Sequence, residues 1–324
     1  MTRQRPGRRS ANGTGTGRGA PRSRHGSETP NRKGEKPPAA AVGNGHRFDF
    51  HLHLSQYWPQ PEVNRYDLGL DFTVEGLTRE MDAQGISDGL LLQLESAPGV
   101  EATLEEAELM FRASGGRLWP TSTVDPTRGA DEVAHAVALW GQNPELRAIK
   151  LYPGYRHFYP HDERLAPVYR FAAERQIPVL YHQGDTLDPM GKIKFSRPIE
   201  VDEVAVDHRD VNFVLCHLGN PWVEEAAEVV YKNENVYTDT SGLVWSPRLP
   251  YYERQIARAQ RRMENALAAM GTVDRVLYGS DWPLESLELA TRMIESLDYP
   301  RAEKDQILGG NARRLLGKRR RSPA

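Results

Sequence analysis

A short apolar run followed by a longer amphipathic stretch recurs eight times from residue 47 onward, and this repeat constrains the fold of the chain most strongly. Short runs rich in β-branched residues predict strands, and amphipathic stretches with helical periodicity predict helices. Strands that alternate with helices pair in parallel, and eight such units suffice to close a barrel. The sequence therefore predicts one (β/α)8 TIM barrel of the α/β class over residues 47–317.

The boundaries of the predicted elements follow from the same pattern. The predicted strands are 48–54, 89–94, 118–124, 148–152, 178–182, 212–217, 235–239 and 275–280. The clearest predicted helices are 73–84, 104–113, 130–140, 164–175 and 222–232, with a longer helix at 251–270. Two short helices, at 301–308 and 311–316, are predicted to follow the last strand.

The two ends of the chain differ from the barrel region in charge and composition. Residues 1–46 carry ten Lys and Arg against two Asp and Glu, whereas the rest of the chain has a net charge of −10. The first segment is rich in Gly, Pro, Ser and Thr, so it lacks the apolar surface that would offset the entropy cost of ordering it. We predict a disordered basic tail at 1–46 and a basic C-terminal tail at 318–324. Because a charge run alone does not identify a partner, no nucleic-acid partner is expected.

The rest of the composition is ordinary for a globular protein, with 39% hydrophobic and 27% charged residues. No apolar run reaches the roughly 18 residues that a membrane span requires, and no apolar segment follows the first positive charges. Cys216 is the only cysteine, so no intrachain disulfide can form. These features predict a cytoplasmic protein without a membrane partner.

Four of the predicted strands end in residue types that bind metal ions. The first ends in His51-Leu52-His53, and strand alternation places both imidazoles on one face. Three others end in His182, in His217 and in Asp281. The carboxyl ends of barrel strands meet at one opening, where enzymes with this fold place their active sites. We therefore expect these residues, distant in sequence, to lie together.

Taken together, these motifs resemble the amidohydrolase superfamily, specifically its amidohydrolase-related branch. That branch includes aminocarboxymuconate-semialdehyde decarboxylase, resorcylate-type decarboxylases and lactonases of sugars or dicarboxylates. The resemblance extends over residues 47–316. The matching stretches are FDFHLH (48–53), AIKLYP (148–153), PVLYH (178–182), FVLCHLG (213–219), NVYTDTSG (235–242), LYGSDWP (277–283) and GNA (310–312).

The resemblance implies a role for each of the metal-binding residue types. His51, His53 and His182 match metal-binding histidines, Asp281 matches an aspartate that binds the metal and handles the proton of its water, and His217 matches a catalytic histidine. Three imidazoles and one carboxylate suit Zn²⁺ with one position open, with Mn²⁺ or Co²⁺ as alternatives. We expect Asp281 to accept a proton from water, and His217 to polarise the substrate oxygen or donate a proton.

Lys150 leaves two interpretations open. In other amidohydrolase branches a strand-four lysine is carboxylated and bridges two metals, whereas an Ile-Lys-Leu segment is common in this branch with one metal. We favour a single divalent ion, with Lys150 as a pocket cation or a structural residue.

Several residues that follow strand ends are candidates for binding a small-molecule substrate. Tyr152, Tyr155 and Arg156 come after the fourth strand, and a guanidinium suits a substrate carboxylate. Trp222, Trp245 and Trp282 follow other strands and are candidates for apolar walls.

Three functions from different classes remain open. The first is a metal-dependent hydrolase of a small C–O or C–N substrate, such as a lactone, ester or amide. The second is a metal-dependent non-oxidative decarboxylase of a small hydroxy-aromatic or unsaturated acid. The third is a non-catalytic barrel that binds a metal or ligand, and in any of these the chain is compatible with a homodimer.

Overall fold

Eight parallel strands in sequence order form the centre of the molecule in a computed structural model, which describes residues 47–57, 70–94, 99–244 and 251–317. Each strand pairs with its neighbours in the chain, from β1 to β8. The circle closes where the Phe50 amide donates to the Tyr278 carbonyl at 2.8 Å and Leu52 bridges Trp282. The predicted TIM barrel is therefore confirmed. The strands are β1 Arg47–Leu52, β2 Ile86–Leu91, β3 Leu118–Thr123, β4 Ala148–Leu151, β5 Val179–Tyr181, β6 Phe213–Leu215, β7 Val236–Asp239 and β8 Val276–Leu277.

Helices follow the strands and pack on the outside of the barrel. The helices are α1 Val74–Ala83, α2 Val100–Ala113, α3 Ala130–Gln142, α4 Ala166–Arg175, α5 Glu200–Asp207, α6 Val223–Lys232, α7 Tyr252–Met270, α8 Leu287–Glu295, α9 Arg301–Asp305 and α10 Asn311–Leu315. Short 3-10 turns lie at Pro126–Arg128, Glu163–Leu165 and Ile193–Ser196. No helix within the described ranges has the length and apolar character needed to cross a bilayer.

Two apolar clusters hold these layers together. The larger one lies between the strands and the helices, and strand residues such as Ile149 and Leu151 contribute to it. The smaller one fills the barrel interior, where the alternate residues Ala148 and Leu180 pack with Phe48. The same smaller cluster contains Ala312 and Leu315 of α10, so this helix covers the barrel end at which the strands begin. Polar side chains lie at the opposite end of the barrel, where the strands end.

Some element boundaries differ from the sequence prediction. β2 begins at Ile86, three residues before the predicted start. The prediction missed these residues because the polar Ser87 and Asp88 interrupt the apolar run. These polar residues are matched by Arg313 of α10, which donates to Ser87 Oγ at 2.8 Å and pairs with Asp88 at 3.3 Å. The predicted helix 301–308 is instead α9 followed by a π-helical turn at Gln306–Gly310.

Residues 1–46 and 318–324, for which tails are predicted, lie outside the described residues, as does Trp245.

Candidate metal centre

His51 and His53 lie on one face at the end of β1, as the strand alternation predicts. Both are buried. His51 Nδ1 lies 2.8 Å from Asp239 Oδ2, and His53 Nδ1 lies 3.0 Å from the Leu92 carbonyl oxygen. A carboxylate or carbonyl oxygen only accepts, so each Nδ1 carries the proton and each Nε2 presents a lone pair. The two Nε2 atoms face each other at 3.1 Å.

His182 follows β5 and approaches the same point from across the barrel. Its Nε2 donates to the Asp185 carbonyl oxygen at 2.7 Å. Its Nδ1 therefore carries the lone pair, and that atom lies 3.2 Å from His217 Nε2. A backbone carbonyl close in sequence thus fixes the orientation of this ring.

His217 enters the site by a turn of the backbone. Strand alternation on β6 directs Cys216 into the barrel, where it is fully buried in the interior cluster. A left-handed conformation at His217 (φ 64°) and Leu218 (φ 48°) then brings the imidazole round to the same opening. His217 Nδ1 lies 2.9 Å from Ser241 Oγ and 3.3 Å from the Ser241 carbonyl oxygen. The predicted strand 212–217 therefore extends two residues too far at its end, since β6 ends at Leu215.

Asp281 also reaches the site through a left-handed residue, with φ 63°. Its amide donates to the His51 carbonyl at 2.8 Å, which ties this turn to β1. Its Oδ1 lies 3.3 Å from both His51 Nε2 and His53 Nε2. Ligand atoms of His51, His217 and Asp281 lie within 4.8 Å of one another.

The converging atoms form a donor set that fits a divalent metal ion. Four imidazole nitrogens and a carboxylate oxygen point inward, and each presents a lone pair. Lone pairs held 3.1–3.3 Å apart repel one another unless a cation lies among them. Imidazole nitrogen and carboxylate oxygen are ordinary ligands of Zn²⁺ and related metals. The structure thus brings His51, His53, His217 and Asp281 together, and His182 adjoins this group through His217.

Burial favours the neutral, metal-binding form of three imidazoles, those of His51, His182 and His217. Desolvation, followed by the positive charge of Lys150, lowers the pKa of His182 to about 3 and holds that of His51 well below its usual range. Desolvation also lowers the pKa of His217, with His51 and His182 as the next causes. Metal binding requires a neutral imidazole, so little deprotonation has to accompany it near pH 7.

Two glycines allow the side chains of the site to approach this closely. A Cβ on Gly242, which has φ 61°, would lie 2.7 Å from His217 Nδ1 and 2.8 Å from Asp281 Oδ2. A Cβ on Gly279 would lie 2.9 Å from the His51 Cβ. Larger residues would push the ligand residues out of place.

Lys150 lies inside the barrel and is fully buried. Its Nζ donates to Cys216 Sγ at 2.9 Å and lies 5.2 Å from the centre of the Tyr152 ring. Its charge acts on His51 and His182, as the lowered pKa values of both rings show.

The candidate substrate-binding residues are spread over several environments. Tyr155 packs edge-on against His182 with ring centres 4.8 Å apart, and Tyr152 stacks near the same ring at 6.4 Å. Arg156 Nε lies 3.5 Å from Asp125 Oδ2. Trp222 is half-buried at the start of α6, with the Arg197 guanidinium 5.4 Å from its ring centre.

Trp282 lies away from the imidazoles. Its ring is fully buried and stacks on Phe72 at 5.3 Å, and its indole N–H donates to Glu80 of α1 at 3.1 Å. Strand alternation accounts for this placement, because Tyr278 and Trp282 both pack in the cluster between the strands and the helices. We therefore leave Trp282 out of the proposed pocket.

Asp239 and Ser241 belong to the site although sequence reasoning gave them no role. Both are fully buried and contact His51 and His217. The signal that could have found Asp239 was its position at the end of β7, where an acidic residue reaches the same opening as the other strand ends.

Comparison with known proteins identifies the family of the chain. The family model described as Amidohydrolase matches residues 48–318, so the chain belongs to this amidohydrolase family. Gamma-resorcylate decarboxylase from Polaromonas sp. (strain JS666) is 25% identical over 191 residues, which is 55% of this chain and 49% of that protein. The match thus spans about half the length of that curated relative.

Solved structures show the same fold at low sequence identity. Dihydroxybenzoic acid decarboxylase from Polaromonas sp. JS666, with bound manganese and the inhibitor 2-nitroresorcinol, has a TM-score of 0.59 and 15% identity, covering 84% of this chain and 97% of that one. A protein from Acinetobacter baumannii described as a probable 2-pyrone-4,6-dicarboxylic acid hydrolase has a TM-score of 0.59 and 18% identity, covering 84% and 100%. The predicted resemblance to the amidohydrolase-related branch is confirmed, and a divalent metal occurs in a solved protein of the same fold.

Proposed function

We propose that the chain is a metal-dependent hydrolase of a small substrate with a C–O or C–N bond, such as a lactone, ester or amide. His51, His53, His182 and Asp281 would hold one divalent ion, most simply Zn²⁺, which has a strong preference for nitrogen-rich sites with few ligands. A divalent ion held there supplies Lewis-acid chemistry, since it lowers the pKa of water and polarises a carbonyl group.

The observation that carries this proposal is the hydrogen-bond geometry around His217, from which its protonated nitrogen follows. His217 Nδ1 carries the ring proton because it faces Ser241, so Nε2 is ready to accept a proton. Asp281 offers carboxylate oxygens beside it. Hydrolysis begins with removal of a proton from water, which such a set of acceptors assists. The water oxygen bonds to the substrate carbon, and the bond from that carbon to the leaving oxygen or nitrogen breaks. The proton held on Asp281 or His217 passes to the leaving atom.

A decarboxylase is the second candidate, favoured by the match to gamma-resorcylate decarboxylase. In that reaction a substrate carbon must gain a proton before carbon dioxide leaves, so an acid is needed at the outset. His217 in the arrangement described is an acceptor, and it would first have to take up a proton. This difference places hydrolysis ahead of decarboxylation in our proposal.

Aromatic side chains beside His182 support a small, flat substrate. Tyr155 and Tyr152 flank this ring, and their faces provide apolar surface near the proposed metal. Arg156 lies on the loop after β4 and, paired with Asp125, is 40% exposed, so its guanidinium remains accessible to a substrate carboxylate.

The test uses protein loaded with Zn²⁺, and in parallel with Mn²⁺, against lactones, esters, amides and hydroxybenzoic acids. Release of acid that depends on the metal and is lost in Asp281→Asn supports hydrolysis. Release of carbon dioxide from a hydroxybenzoic acid, without acid release from the other substrates, would overturn hydrolysis in favour of the second candidate. Bound metal without turnover of any compound in the panel would instead favour the non-catalytic barrel.

A further inference from the structure

The Asp239 carboxylate lies on the side of the imidazoles away from the proposed metal, and it contacts both His51 and His217. We infer that Asp239, together with Ser241, is a positioning residue that determines which ring nitrogen of His51 and of His217 carries the proton. The inference rests on the proposed metal-dependent function, because the two Nε2 lone pairs matter only if they face a metal or a proton.

Asp239 ends β7 and is completely buried. Its Oδ2 lies 2.8 Å from His51 Nδ1. Its Oδ1 accepts the His217 amide at 2.9 Å, the Ser241 amide at 3.1 Å and the Ser241 hydroxyl. The amide donors fix the carboxylate, and the carboxylate in turn holds the left-handed backbone at His217 in place.

Ser241 extends the effect of Asp239 to the second imidazole. A hydroxyl has one proton to donate, and that proton is given to Asp239 Oδ1. The oxygen can then only accept from His217 Nδ1 at 2.9 Å and from His51 Nδ1 at 3.0 Å. The direction of the Ser241–Asp239 hydrogen bond therefore fixes the tautomer of His217, and its Nε2 is left as an acceptor.

The other two histidines are fixed by a different means. His53 and His182 donate to the backbone carbonyls of Leu92 and Asp185, which no substitution removes. For His51 the same task falls on the side chains of Asp239 and Ser241, and for His217 it falls on the Ser241 hydroxyl at 2.9 Å beside a longer contact of 3.3 Å to the Ser241 carbonyl. The side-chain part can be altered by mutation. Groups that orient metal-binding histidines in this way typically change metal affinity by about 10–100-fold when removed.

Asp239→Asn and Ser241→Ala test the inference, with Ser241→Thr as the conservative variant that keeps the hydroxyl. Thr238→Val is the matched control, because Thr238 is a buried neighbour on β7 whose Oγ1 donates to the Leu215 carbonyl at 2.8 Å and contacts neither imidazole. Zn²⁺ affinity is measured by competition with a chelating indicator. The tautomers are measured from ring ¹⁵N chemical shifts in metal-free protein labelled at histidine.

We expect Asp239→Asn to weaken Zn²⁺ binding by about 10–100-fold. In Ser241→Ala the His217 ring should become a mixture of tautomers while Zn²⁺ affinity changes by less than in Asp239→Asn. Ser241→Thr should restore the single tautomer, and Thr238→Val should match the wild type in both measurements.

Wild-type rings of His51 and His217 that carry the proton on Nε2 would overturn the inference at once. Unchanged tautomers in Ser241→Ala would also overturn the inference. This variant keeps the Asp239 carboxylate, so it tests the hydroxyl without removing a buried charge. Both measurements are made without substrate, so they do not depend on hydrolysis. If the protein hydrolyses none of the compounds tested, this inference still stands, and altered tautomers are not evidence for or against hydrolysis. If Asp239→Asn does not fold, the wild-type spectrum and the Ser241 variants decide.

Discussion

The two sides of the site reach the same opening by different backbone routes. His51 and His53 project directly from β1, and His182 is the residue after β5. His217 and Asp281 instead follow the ends of β6 and β8 and take left-handed conformations, with φ of 64° and 63°. The first group depends on the regular alternation of a strand, and the second depends on turns that only particular contacts can hold.

The turn-held residues have a conformational cost that the strand-held residues do not have. A non-glycine residue in the left-handed region costs roughly 1–2 kcal/mol, and such residues are concentrated at functional sites. The cost is met here by hydrogen bonds to neighbouring strands, from Asp281 to the His51 carbonyl and from His217 to Asp239. We therefore expect the strand-held histidines, together with Asp281, to determine metal binding, and His217 to determine turnover.

The largest effect is expected when a strand-held ligand is removed. His51→Ala or His182→Ala should reduce the metal content from about one ion per chain to nearly none, because the remaining ligands cannot enclose the ion. Activity should disappear as a consequence. Elemental analysis of the purified variants measures this, and a full complement of metal in either variant would break the distinction between the two groups.

His217→Asn should lower turnover while the metal stays bound. Loss of acid–base assistance typically reduces the rate by about 10²–10⁴-fold. Metal content and turnover are compared with those of His51→Ala under the same loading conditions. Equal metal loss in the two variants would show that His217 is a required ligand, and the division of roles would then be wrong.

Gly242→Ala should disturb the turn-held residues while leaving β1 in place. The added Cβ would meet both His217 Nδ1 and Asp281 Oδ2 at under 3 Å. A displacement of this kind can cost on the order of 10²-fold in rate. Gly271→Ala is the matched control, since Gly271 has φ 63° but nothing within 4 Å of the added atom.

Both glycine variants should lose roughly 1–2 kcal/mol of stability from the left-handed backbone alone. Only Gly242→Ala should also lose turnover, so thermal unfolding and kinetics together separate the two causes. Unchanged turnover in Gly242→Ala would mean that the turn-held residues tolerate displacement.

The smallest effect is expected from the N-terminal segment. Deleting residues 1–46 should leave the melting temperature and metal content nearly unchanged, because the composition of this segment offers few apolar side chains to pack. Thermal unfolding and elemental analysis of the shortened chain check this. A loss of several degrees in the melting temperature would show that the segment contributes to the stability of the barrel. The segment would then have to be considered beside the strand-held and turn-held residues.

Strand periodicity was enough to predict the barrel and the strand-held histidines. Eight apolar runs gave the number of strands, and the spacing of His51 and His53 gave their common face. The same alternation gives the direction of Trp282, since Tyr278 and Trp282 both pack in the cluster between the strands and the helices. Trp282 was made a candidate for the pocket only because it follows a strand end, and that position alone does not give the direction of a side chain.

The end of β7 marks Asp239 as a candidate for the site, but the partner of this residue was beyond the sequence. The role of Asp239 depends on the contact between β7 and His51, which lie 188 residues apart in the chain. Local patterns carry no information about such a contact, and the polar start of β2 was missed for a related reason, since its partner Arg313 lies 226 residues from Ser87.

The position of Cys216 makes its thiol a probe of local unfolding in the barrel. This thiol is the only one in the sequence, it is fully buried, and burial raises its pKa well above the usual value. An alkylating reagent can reach it only when β6 separates from its surroundings, so the rate of modification measures how often that happens. One mass-spectrometric time course, with and without metal, would give the protection that the ion confers on the innermost part of the fold.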